Sequence, residues 1–192
     1  MRRYTLRKRA SAMEHTREAI LAAARARLAR VGYAALRVDD VAKRARVSRR
    51  TVYAHFRSRE LLADAALAER VAALRERVAR WHPRSTDGPA VLDEVIAFHA
   101  RSYREEYALM ETLSEGAPES GRRLLRELDA ERLRTIARTV QTIAGQLRIA
   151  PRDAGALIHT ALSYPAWRVA LTGPAGRRAP RLLASMLKSA LL

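Results

Sequence analysis

The chain of 192 residues contains no cysteine, which excludes disulfides, thiolate zinc sites and thiol chemistry. Lysine is almost as scarce. Only Lys8, Lys43 and Lys188 are present, so the net charge of +17 is carried nearly all by arginine. No apolar run reaches the roughly 18 residues of a membrane span. The basic start MRRYTLRKRA is not followed by the apolar stretch of a signal peptide. These absences predict a cytoplasmic protein without membrane contact. Strand-like alternation is also missing, and no Asn-Gly or Asp-Gly turn joins two alternating runs, while Ala, Leu, Arg and Glu dominate. An all-α fold follows. The five histidines, His15, His55, His82, His99 and His159, fall at no metal-ligand spacing, and neither an HExxH stretch nor a phosphate-cradling glycine loop is present. No metal, no cofactor and no enzymatic activity are expected. His99 with Glu105 or Glu106 is the one conceivable acid–base pair, and residues so scattered make a weak active site.

Acidic residues are missing where the positive charge is densest. Residues 1–60 hold 17 Lys/Arg against 5 Asp/Glu, and residues 61–192 hold 20 against 15. Between Val41 and Arg59 there are seven basic residues and no acid. An arginine-rich composition raises charge everywhere but does not clear acids from one 19-residue window. The distribution points to a polyanion, and nucleic acid is the expected partner.

Apolar periodicity predicts helices over about Glu14–Arg30, Val38–Ala45, Arg49–Phe56, Ser58–Arg80, Ala90–Leu113, Glu119–Leu147, Pro151–Leu171 and Arg181–Leu192. Ile20, Ala23, Ala24 and Leu28 face inward on the first, which Gly32 ends. Residues His82–Pro89 and Thr172–Pro180 read as loops, Gly116–Pro118 as an interruption, and Pro165 as a kink. Residues 1–13 form a basic, mobile arm, 14–60 a DNA-binding domain and 61–192 a second helical domain. The arm, with Arg2, Arg3, Arg7, Lys8 and Arg9, either reaches a minor groove or is a solvated tail.

Two short helices joined by a brief turn on a basic all-α domain make a helix-turn-helix. Val41, Ala42 and Ala45 give the first a small apolar inner face, Val47 fills the turn and Ser48 caps the second. Val52 and Phe56, four residues apart, point inward. Arg49, Arg50, Thr51, Tyr53, Ala54 and His55 are left to face outward or flank the core. Arg49 and Arg50 then sit at the positive end of a helix dipole, an unfavourable place for cations unless an anion joins them. Arginine forks onto guanine, and Tyr and His donate to phosphate.

The wider stretch Thr16–Leu67 resembles the N-terminal domain of the TetR family of bacterial transcription regulators. The resemblance rests on Gly32–Tyr33 after an apolar first helix, VDDVA at Val38–Ala42, the VSRRTVYAHF segment at Val47–Phe56, and SRELL at Ser58–Leu62. It implies base-edge or nearby contacts from Arg49, Thr51, Tyr53 and Arg50, phosphate contacts from Tyr53 and His55, and Arg59 in the family's phosphate-binding Lys position. Ser48 and Arg46 complete the expected DNA face. Three departures add charge or weaken caps: Arg46 where the family often has Gly, Arg37 where Ser or Thr commonly caps, and Arg50 in place of a small residue. Packing alone is the other reading of Tyr53, and plain surface exposure that of His55.

In the second domain, Leu92, Ile96, His99, Tyr103 and Met110 form one inward stripe. Its polar members either bond to protein or face a cavity holding water or ligand. His99, Tyr103, Tyr107, Met110, His159 and Trp167 are the candidate ligand residues, with Tyr164 a weaker one, for a largely apolar small-molecule effector. The last helix places Leu183, Met186, Leu187, Ala190 and Leu191 on one face, widened by Leu182. That face is either a homodimer interface, as the resemblance implies, or buried within the monomer. The combined expectation is a homodimeric, nucleoid-associated transcription regulator, usually a repressor in this family, on a palindromic double-stranded operator. Its binding would be tuned by the effector, with the Ser58–Arg80 helix as connecting rod. The alternative is a ligand-independent architectural DNA-binding protein.

Overall fold

Among the described residues of the computed structural model, 2–114 and 119–192, every regular element is helical. The expected break at Gly116–Pro118 and the side chains of Arg2, Arg3, Arg7 and Arg9 lie outside them. The helices are α1 (Arg2–Val31), α2 (Val38–Ala45), α3 (Arg49–His55), α4 (Arg59–Arg80), α5 (Gly88–Glu105), α6 (Tyr107–Ser114), α7 (Glu119–Thr142), α8 (Pro151–Ala161), α9 (Tyr164–Thr172) and α10 (Ala179–Leu191). They form two compact units, one of residues 1–72 and 111–125, the other of 73–110 and 126–192.

In the first unit, α1 begins at Arg2 and not at the expected Glu14. The basic segment is dominated by Arg, Lys, Ala, Leu and Met and holds no Gly or Pro, so no strong breaker opposes the helix despite its lack of an apolar stripe. Gly32, at φ 71°, ends α1 by bonding its N–H to Leu28 O at 2.9 Å. Ile20, Ala24 and Leu28 of α1 pack in a core that includes Val41 and Ala42 of α2 and Val52 of α3. Buried Tyr33 donates to Asp64 at 3.2 Å and ties the turn after α1 to α4.

Both ends of α2 carry the weaknesses expected from the family departures. Arg37 gives no side-chain cap, so Asp39 and Asp40 in the first turn are the favourable charges there. Arg46 is left-handed (φ 57°, ψ 39°), a conformation that costs a non-glycine residue roughly 1–2 kcal/mol. Arg46→Gly is therefore expected to stabilise the chain by about 1 kcal/mol, read as a higher urea midpoint at unchanged slope. A lower midpoint would contradict the strain.

In the second unit the expected Ala90–Leu113 helix is broken at Glu106, which leaves helical geometry at φ −108° and ψ 17°. Arg77 of α4 bonds Glu105 at 2.9 Å and approaches Glu106 at 3.6 Å, so a long-range ion pair holds this corner without Gly or Pro. The expected 151–171 helix is two helices: Pro165 sits in the first turn of α9, and the Ser163 hydroxyl accepts from Ala166 N at 3.5 Å as its cap. The helix predicted to reach Leu147 ends at Thr142, followed by a tight turn at Ala144–Gln146.

α10 packs on α5. Gly88 makes that approach possible: its N–H donates to Gln146 Oε1 at 2.7 Å, and a Cβ there would stand 2.9 Å from the same oxygen and 3.0 Å from Leu192. Leu187 and Leu191 are buried within the chain, so they drop out of the face expected at a dimer interface, while Leu182 and Met186 are exposed. Helical spacing identified the apolar face of α10 but not that α5 covers one edge of it. The last carbonyls of α4 are covered from α7, where Arg138 donates to Ala79 O at 3.1 Å and Trp81 O at 3.3 Å and Thr135 to Val78 O at 3.3 Å.

Candidate functional site, a basic helix-turn-helix face and a buried arginine cluster

Ser48 builds α3. Its Oγ accepts the Thr51 N–H at 3.0 Å and lies 2.8 Å from Thr51 Oγ1. Val52 and Phe56 are buried, which fixes the rotation of the helix and turns Arg49, Arg50 and Tyr53 to solvent, with Thr51 and His55 half-buried. Arg44, Arg46 and Arg57 are exposed on flanking residues.

Arg49 has a partner in the free protein. Its guanidinium lies 3.4 Å from Asp39 at the start of α2 and 5.5 Å from the Tyr53 ring centre. The hydrogen bond with Tyr53, then the Asp39 charge, raise its pKa further. Asp39 thus offsets the misplaced charge. Arg50 makes no ion pair among the described residues. Arg59 is half-buried and already engaged, donating to Ala34 O at 3.1 Å and to Glu60 at 3.0 Å, so a phosphate bound there would compete with both. Arg17 of α1 stacks 5.0 Å from the centre of the Phe56 ring, a packing role that no motif signalled.

The second unit brings four of the six candidate ligand residues together around one that was not expected. Arg132 of α7 donates to Tyr103 Oη at 3.2 Å and Leu162 O at 3.0 Å, pairs with Asp129, and lies 2.8 Å from His159 Nε2. Tyr103 itself donates to Leu162 O at 2.7 Å, and its ring lies 6.3 Å from His99 and 6.0 Å from Trp167. His99 donates through Nδ1 to Val95 O at 2.9 Å, which fixes the tautomer and leaves Nε2 as an acceptor. Both polar members of the stripe therefore bond to protein. Within this cluster three buried atoms stay unmatched among the described residues: His99 Nε2, Arg132 Nε and Trp167 Nε1. Tyr164 joins the cluster at 5.7 Å from Tyr103. Met110 is buried, and Tyr107 lines a separate shallow pocket of about 350 Å3 with Arg104 and Leu171. Arg132 sits in an arginine-rich helix, and nothing in its sequence surroundings separates it from its exposed neighbours Arg126 and Arg134.

Burial pushes His99 down to about 4 from an ordinary 6.5, with the Arg132 charge adding to the effect. Because the folded value is depressed, the neutral ring contributes full stability above pH 6.5. That stability is lost as pH falls from 6.5 towards 4, where the unfolded chain takes up the proton first. Between pH 6.5 and 5 the loss is expected to reach about 1–2 kcal/mol more in the wild type than in His99→Gln, measured by urea unfolding. Equal slopes in the two proteins would refute it.

Residues 20–66 match the family model of the bacterial regulatory proteins, tetR family. No curated protein matches the chain significantly. Among solved structures, a putative transcriptional regulator from Saccharomonospora viridis in complex with choline is similar, with 21% identity, a TM-score of 0.72 and coverage of 91% of this chain and 96% of that one. NalD, the secondary repressor of the MexAB-OprM multidrug efflux pump in Pseudomonas aeruginosa, aligns at 19% identity and TM-score 0.65 over 93% and 96% of the two chains. The SmeT–triclosan complex aligns at 19% identity and TM-score 0.62 over 92% and 91%. Residues 20–66 thus carry the N-terminal domain of the bacterial regulatory proteins, tetR family, on a chain that shares the fold of these solved structures over almost its whole length.

Proposed function

We propose that the protein is a homodimeric repressor that binds a palindromic double-stranded operator through α3 and is tuned by a small molecule held near the Arg132 cluster. The observation that carries this reading is the outward face of α3: Arg49, Arg50 and Tyr53 exposed on a helix whose Val52 is locked in the core. Such a helix end, positive by dipole and by side chain, is matched by a phosphate-lined groove. Arg49, Arg50, Thr51 and Tyr53 are assigned to base edges or their neighbourhood. His55, Arg46 and Arg59 are assigned to phosphate, and Ser48 to the shape of the helix start. Exposed Leu157, Leu182 and Met186 on α8 and α10 favour self-association. A two-fold dimer would then present two recognition helices about one DNA turn, or a multiple, apart.

The effector reading draws on the three unmatched buried atoms, each costing roughly 1–3 kcal/mol if left unsatisfied. A ligand that supplies polar groups to an otherwise apolar interior would recover part of that cost. Helices α4, α6 and α7 each contribute residues to both units, so they are the segments through which ligand state reaches DNA affinity. The ligand must bind the DNA-competent and DNA-incompetent states with different affinity, since equal affinity shifts nothing.

Sedimentation at micromolar protein with a salt titration of DNA affinity tests the reading. A dimer is expected, with log affinity falling against log salt at a slope of about −5 or steeper. A monomer, or a slope matching one or two released counterions, would contradict it.

A further inference from the structure

We infer that a pocket at the C-terminal end of α4 binds a planar aromatic anion, at a site that shares no residue with the Arg132 cluster. The pocket holds about 510 Å3, the size of a small-ligand cleft. Trp81 and Phe98, both half-buried, form one wall as a stacked pair with centroids 5.2 Å apart and planes 22° from parallel. Arg80, Arg84 and Arg101 line it too, beside His82 and Ala97, with Glu94 as the single acid in the lining.

The charges in this pocket are unequally spent. Arg80 is bound to Glu76, and Glu94 accepts the main-chain N–H of Arg84 at 2.7 Å. The guanidinium groups of Arg84 and Arg101 are exposed and make no ion pair among the described residues. A helix C-terminus ordinarily repels anions through its free carbonyls. Here those carbonyls are occupied: His82 Nδ1 donates to Arg80 O at 3.1 Å, and Arg138 bonds the carbonyls of Ala79 and Trp81. The pocket therefore offers a flat π surface beside two unspent arginine forks, with the local negative dipole covered. A neutral aromatic would use only the rings and an inorganic anion only the arginines. A molecule with both an aromatic ring and a carboxylate or phosphate uses both.

The site does not depend on the protein being a repressor. Its test is calorimetric titration of the full chain with benzoate, phenyl phosphate, phenol and inorganic phosphate, each alone. Benzoate and phenyl phosphate are expected to bind saturably and at least tenfold more tightly than phenol or inorganic phosphate, and their ratio tells carboxylate from phosphate preference. Binding should quench Trp81, since the other tryptophan, Trp167, is fully buried. The double variant Arg84→Gln/Arg101→Gln, two exposed positions, should weaken binding of both anions tenfold or more while keeping the wild-type melting curve. Tyr103→Phe, which alters only the Arg132 cluster, should leave it unchanged. Phenol binding as tightly as benzoate would overturn the proposal. So would anion binding that survives the double variant or is lost with Tyr103→Phe.

Discussion

Replacing Arg49 with glutamine is expected to weaken binding to operator DNA by about 10- to 100-fold and to leave the urea unfolding midpoint unchanged or slightly raised. The side chain sits at the first position of α3, where a cation opposes the helix dipole, and its partner Asp39 stands 3.4 Å away across an exposed gap. Both effects are small and of opposite sign, so folding hardly registers their removal. DNA binding loses a planar fork directed at the groove. Arg49→Lys should recover only part of the affinity, because an ammonium keeps the charge without the bidentate geometry. Asp39→Asn, by releasing Arg49 from its intramolecular partner, should tighten binding. A fluorescence anisotropy titration of the three variants at fixed salt checks these signs. Full affinity in Arg49→Gln would remove α3 from the interface.

The largest loss of stability among the polar residues is expected from Arg132→Ala, at about 2–4 kcal/mol in urea unfolding. Its side chain is 11% exposed and joins α5, α7 and the α8–α9 junction through Tyr103, Asp129, Leu162 O and His159. Truncation removes the donors to Leu162 O and Tyr103 together and leaves a hole where the guanidinium packed. Asp129 is 43% exposed and can turn to water, so Asp129→Asn should cost under about 1 kcal/mol. Arg132→Lys should lose most of what alanine loses, since one ammonium cannot replace the fork. If Arg132→Ala costs less than Asp129→Asn, the arginine is not the hub of the cluster.

What could be read from residues alone depended on where local chemistry decided the structure. The expected limits of α2 match, and α3 departs by one residue, because Ser48 caps and buried Val52 and Phe56 enforce a 3.6-residue pattern. The family resemblance, with Gly often at the position of Arg46, marks that residue as a strained turn position, and it is left-handed. The break at Glu106 carried no Gly or Pro, and Arg77, which holds it, lies nearly thirty residues away. The α8–α9 junction was visible through Pro165, but a kink and a new helix start share one sequence signal, and the Ser163 cap separates them. Periodicity gives the apolar faces of α5 and α10 without their partners, so it leaves Leu187 and Leu191 between a dimer interface and the monomer core, and packing on α5 decides for the core. Arg132 was missed for the same reason, since an inward arginine is recognisable only once its partners from other helices are known.

The central claim is that α3 of a two-fold dimer reads a defined DNA sequence. Selection of bound DNA from a random pool at moderate salt tests it most directly. A palindromic consensus, with half-sites one helical turn or a multiple apart, is the predicted result, lost in Arg49→Gln selected in parallel. Binding that enriches no sequence, though the protein retains DNA on the column, would contradict it and identify an architectural DNA-binding protein instead.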